Sequence, residues 1–153
     1  MNCNEKLKVE DINDNFLEKI KTFVNDVLIP SEMIVETEDT IPESIIEKMK
    51  ELKLFGLTIP KKYGGLELSP CSEMEVLFEF GKTSPAFEAY FGTNIGIGSL
   101  AILLNGSETQ KDKYLPAIAK GDIISSFALT EENAGSDAHS IQCLAEKKIM
   151  VGY

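Results

Sequence analysis

The chain has 153 residues, 43% of them hydrophobic, and a net charge of −10. That length allows one core but is short for two complete domains, and the composition is that of a globular protein rather than a disordered one. The acidic balance disfavours nucleic acid and anionic membrane surfaces, neither of which suits a carboxylate-rich face; it is otherwise accounted for by plain solubility.

Met1 to Lys8 is polar and of mixed charge, without the basic start and apolar run of a secretory signal. Ile12, Phe16, Ile20, Phe23, Val24 and Val27 recur at helical spacing and predict an amphipathic helix from Asp11 to about Leu28, stopping near Pro30. Ser31 to Asp39 is acidic and aperiodic and reads as a loop. Thr40-Ile41-Pro42-Glu43 has the form of a capping box. It opens a second helix with a buried stripe of Ile45, Ile46, Met49 and Leu52, and Gly56 is expected to close it in a left-handed cap.

Pro60 and the Gly64-Gly65 pair forbid a continuous helix through the next stretch, Leu57 to Gly65, which reads as a connector. Ser69 and Pro70 start a third helix, whose Met74, Val76, Leu77, Phe78 and Phe80 predict burial on more than one face. Ser84-Pro85 repeats that start. The apolar segment that follows carries Gly92, Gly96 and Gly98, which close packing would offset. Gly106 ends that helix. Ser107-Glu108-Thr109-Gln110 caps another, with Tyr114, Leu115 and Ile118 facing the core and Gly121 at its end. Cys3, Cys71 and Cys143 form no C-x-x-C pair, which suits a reducing, cytoplasmic setting. No stretch is expected to span a bilayer. The lone His139 makes no metal constellation, and no metal site is expected.

Ile123 to Leu129 has the length and β-branched start of a strand, and Ile141 to Ala145 reads as a second one. Between them lies a polar loop, Thr130-Glu131-Glu132-Asn133-Ala134-Gly135-Ser136-Asp137. On physical grounds it is either a strand ending in a solvated acidic turn or an edge that holds a flat polar ring. In the second case amides and hydroxyls would point at the ring, and Gly135 would let the main chain come close.

The run Ala128-Leu129-Thr130-Glu131-Glu132-Asn133-Ala134-Gly135-Ser136-Asp137-Ala138-His139-Ser140 resembles the signature of the acyl-CoA dehydrogenases. Pro60-Lys61-Lys62-Tyr63-Gly64-Gly65 and Gly106 to Pro116 are similar to segments of the same family. The resemblance covers about residues 10 to 145. It implies a mainly α fold: an amino-terminal helical domain over 1–122, then the first strands of an incomplete β-barrel domain over 123–153. Members of the family are flavoproteins that desaturate acyl thioesters between the α and β carbons, with hydride passing to FAD. Carried over by position, the resemblance places Phe127, Leu129, Thr130, Gly135 and Ser136 at the FAD, with Ser136 also reaching the CoA arm of the substrate. Glu132 and Asn133 stand where related loops often carry proline and glycine.

The family's catalytic base and second flavin-contacting segment match nothing here, so no catalytic residue is expected in this chain. The chain is expected to be a truncated amino-terminal part, inactive alone. The implied partners are an acyl-CoA or carrier-bound acyl substrate, an electron-transfer flavoprotein and, in the complete protein, further copies of itself; a mitochondrial matrix location is compatible. The alternative is a non-catalytic helical module that binds a partner protein or an acyl carrier.

Overall fold

The computed structural model describes residues 14–146. Asp11 and Ile12 of the expected first helix, Cys3, the stretch from Met1 to Lys8 and residues 147–153 lie outside the described residues.

The first helical run is longer than its periodicity predicts. Helix α1 (Asp14–Phe23) passes through a π turn (Val24–Leu28) into α2 (Ile29–Glu38). Ile20, Phe23, Val24 and Leu28 are buried along it and Phe16 and Val27 half-buried, as the spacing requires. Pro30 does not end the helix, and residues 31–38 are helical rather than a loop. The π turn widens the backbone, with the Ile29 N–H donating to Val24 O, and Pro30 falls in the first turn beyond it, where its missing N–H costs little. Ser31 and Thr37 hydroxyls donate back to Val27 O and Met33 O at 2.6 and 2.7 Å. Only at Asp39, with φ +50°, does the helix stop.

Helix α3 (Glu43–Glu51) buries Ile45, Ile46 and Met49 as expected, but the Thr40 capping box does not form; Pro42 occupies the cap with no side-chain bond. The left-handed residue after α3 is Lys53, not Gly56. Gly56 lies in a short 3-10 turn (Leu54–Gly56), where a Cβ would come within 3.2 Å of the Ala119 Cβ and the Gly65 Cα. Close packing, not handedness, is what calls for glycine there. The connector then folds on itself: Leu66, Glu67 and Leu68 amides donate to Gly56, Ile59 and Leu57 carbonyls at 2.8–3.0 Å.

Helix α4 (Pro70–Phe80) starts as predicted, with Ser69 accepting from the Ser72 amide. It is buried on one face only. Val76 and Phe80 are inside, while Met74 and Phe78 are 60% and 73% exposed. Helix α5 (Pro85–Thr93), capped by Ser84, runs through a second π turn (Asn94–Gly98) into α6 (Ser99–Asn105). Gly96 departs from helical values at φ −108°, ψ −115° and marks the kink.

By length and composition the 21-residue run from Pro85 to Asn105, with an 18-residue window at a mean hydropathy of 1.3, is apolar enough to cross a bilayer, contrary to the sequence expectation. The core helix of a globular domain meets the same two criteria. Phe87 and Phe91 are wholly buried in this fold, and a fully hydrogen-bonded asparagine sits mid-run.

Helix α7 (Glu108–Lys120) carries the predicted capping box, with Ser107 and Gln110 each accepting from the other's amide, and ends at Gly121 with φ +78°. Leu115 and Ile118 are buried, but Tyr114 is 37% exposed.

The helices enclose one main core. Phe80 and Phe91 meet edge-to-face with centroids 4.9 Å apart, and Phe55 stands edge-on to both Phe91 and Tyr90. A satellite cluster of Ile59, Tyr63, Leu115, Ile118 and Ala119 packs α7 onto the connector.

Candidate functional site

From Gly121 the chain leaves α7 and runs without a turn or bend from 124 to 130. Asp122 and Ile123 amides still donate to Ala117 O, at 3.0 and 3.3 Å, which fixes the direction of departure. The segment is then held at one point by Asn94, in the π turn after α5. The Asn94 amide nitrogen donates to Ile118 O at 3.2 Å and Ile123 O at 2.9 Å. Its oxygen accepts from the Ser125 backbone N–H and the Ser125 hydroxyl, both at 2.8 Å. Two carbonyls on one side and an N–H on the other leave only one way round for the amide group. Gly98 completes the contact, because a Cβ there would lie 2.6 Å from the Ser125 Cβ. Of the three glycines in this helix, Gly98 is therefore explained by close packing, whereas Gly96 has open space around it.

Neither 123–129 nor 141–145 forms a strand ladder. The one bridge among the described residues is a tight turn, Glu131 with Ala134, paired at 3.0 and 3.2 Å. A strand needs a neighbour for its backbone groups, and no described segment lies alongside. The segment after the loop is instead gathered by side chains. The Glu131 carboxylate accepts from the Gln142 and Cys143 amides at 2.8 and 3.0 Å. Asp137 accepts from the His139 amide at 3.2 Å and the Ser140 hydroxyl at 2.6 Å, capping a 3-10 turn (Ala138–Ser140). His139, Cys71 and Cys143 are exposed.

The structure sets Phe127, Leu129 and Thr130 on this run and Gly135 and Ser136 just past the turn, all of them exposed. A flat polar ring asks for free donors, apolar side chains and room. Among the described residues, nothing accepts from the backbone N–H groups of 126–130. Phe127 and Leu129 are 49% and 42% exposed, and a Cβ at Gly135 would meet nothing within 4 Å. The donor set therefore fits such a group. Glu132 is exposed beside it. A shallow groove of about 320 Å³, lined by Glu88, Ala89, Gly92, Thr93, Gly96 and Ile97, runs along the same α5–α6 helix.

Asn94 escaped the sequence reading. Its one signal was a carboxamide inside an otherwise apolar helix, and its partners lie 24 to 31 residues away.

A family model described as the acyl-CoA dehydrogenase N-terminal domain matches residues 11–122. An acyl-CoA dehydrogenase of Bacillus subtilis (strain 168) is 35% identical over 129 residues, covering 84% of this chain and 34% of that protein. The structure of an acyl-CoA dehydrogenase complexed with FAD from Bacillus anthracis matches at TM-score 0.71 and 32% identity, over 85% of this chain and 23% of that one. A chain from work on the electron transferring flavoprotein of Acidaminococcus fermentans matches at TM-score 0.76 and 28% identity, over 92% of this chain and 36% of that one. The chain spans between 16% and 35% of the length of the first curated relatives it matches.

Proposed function

Because the chain belongs to the acyl-CoA dehydrogenase family, we propose that it is the amino-terminal part of a flavin-dependent enzyme that desaturates an acyl thioester, with the segment 123–136 forming one edge of the FAD site. The observation that carries this reading is the run 126–130, whose N–H groups have no acceptor among the described residues and whose Phe127, Leu129 and Thr130 are exposed. FAD, when bound, supplies a hydride acceptor. Donation from the Thr130 hydroxyl and backbone N–H favours negative charge on the pyrimidine side of the ring, and so favours reduction. Phe127 and Leu129 cover apolar ring surface and exclude water. Gly135 and Ser136 extend the edge, and Ser136 also meets the CoA arm of the substrate.

Removal of the α proton needs a base, which the family resemblance implies to be a carboxylate. Glu131 and Asp137 are committed to backbone and hydroxyl donors, so neither is assigned that role. The base is proposed to come from a part of the protein outside these 153 residues, which makes the present chain inactive by itself. The proposed substrate is an acyl-CoA or a carrier-bound acyl group, and the proposed electron acceptor an electron-transfer flavoprotein. The compartment is proposed to be a reducing one.

The test is FAD titration by flavin fluorescence on protein expressed from its complete coding sequence. Thr130→Ala with Ser136→Ala is expected to weaken FAD binding about tenfold or more, from two lost hydrogen bonds to the cofactor. Unchanged affinity would remove this segment from the flavin site and leave the non-catalytic helical module as the better reading.

A further inference from the structure

We propose that Asn94 is a positioning residue that sets the register of the segment 123–130, and through it the placement of Phe127, Leu129 and Thr130; the link to FAD rests on the function proposed above. Asn94 is completely buried and uses every hydrogen-bonding position of its carboxamide, two donors to Ile118 O and Ile123 O and two acceptor positions for Ser125. It therefore joins three parts of the chain: the π turn after α5, the last turn of α7, and the run that follows it. No other bond among the described residues holds the backbone from 124 to 130.

A slip of one residue at Ser125 would carry Phe127, Leu129 and Thr130 along by up to about 3.5 Å. The lock at Ser125, two residues from Phe127 and five from Thr130, thus sets where these side chains meet a ligand. Gly98 guards the same point from the other side, since any Cβ there meets Ser125. The site thereby reports on the α5–α6 helix, whose kink at Gly96 sits between Asn94 and Gly98.

Two variants test the lock by different routes, Asn94→Ala by removing its bonds and Gly98→Ala by crowding Ser125, and with it the Thr93 carbonyl, while the Asn94 side chain stays unchanged. Val76→Ala, a core truncation in α4, serves as the control for simple destabilisation. Amide hydrogen exchange in the cofactor-free protein is the first readout. Both variants are expected to raise exchange at Ser125 and its neighbours about tenfold or more, while α5 and α7 keep their protection. The second readout is the visible circular dichroism of bound FAD, expected to change in both variants and not in Val76→Ala. Wild-type exchange around Ser125 in both variants would overturn the proposal whether or not flavin binds. Raised exchange with unaltered flavin dichroism would overturn the link from register to cofactor. A wild-type protein that binds no FAD would instead overturn the flavin reading, and the exchange data would still decide the lock.

Discussion

At Gly121 a single residue both ends α7 and turns the chain toward the candidate site. Its φ of +78° is costly for any side chain, and a Cβ would lie 2.6 Å from the Phe55 ring. Gly121→Ala is expected to lower stability by about 1–3 kcal/mol, read as a lower thermal midpoint. This position was legible, because a glycine after a helix ending in Lys120 is a local signal. Ser69, Ser84 and Ser107 were legible for the same reason: each caps an amide two or three residues away. Glu32 was not. Its carboxylate accepts from the Thr83 hydroxyl and the Ser84 amide at 2.8 and 2.9 Å, tying α2 to the start of α5 across 51 residues of sequence. Glu32→Ala leaves those donors half-buried and is expected to cost about 1–3 kcal/mol in denaturant unfolding. Asn94 belongs with Glu32. A residue type alone gives no hint of partners that only the fold supplies.

At the scale of elements, the reciprocal cap of α7 is local and separable. Ser107→Ala is expected to cost about 1 kcal/mol and to raise amide exchange in the first turn only, leaving the contact with Phe55 at the far end intact. The acidic stretch 31–38 misled because its exposed face is long: Val35 alone is buried there. Helical order in that stretch comes from the preceding run through the π turn and from tertiary contact, not from its own pattern. The two expected strands failed for a related reason. Their strand length and apolar character are present, but a ladder depends on a neighbour, and no described segment provides one. What the sequence could show was that the helical pattern ends at Gly121 and that a loop rich in small and polar residues follows Leu129. It could not show that Glu131 would fold the next segment back by holding the Gln142 and Cys143 amides.

For the molecule as a whole, the mainly helical family fold was readable from spaced apolar residues, caps and the signature. Which faces are covered was not. Met74 and Phe78 on α4, Met33 on α2, and Leu104 on α6 are all 60% or more exposed, although their residue types predict burial. The core that does form is aromatic and tightly interlocked around Phe91, so Phe91→Ala is expected to cost about 3–5 kcal/mol in chemical denaturation. That core fixes α5, the π turn that follows α5 carries Asn94, and Asn94 holds the run 123–130 on which the proposed chemistry depends. The most direct measurement is the visible spectrum of protein expressed from its complete coding sequence, before and after anaerobic addition of an acyl-CoA. The account predicts a yellow protein whose flavin band bleaches as the thioester is desaturated. A protein that is colourless and takes up no FAD when the cofactor is supplied would contradict it.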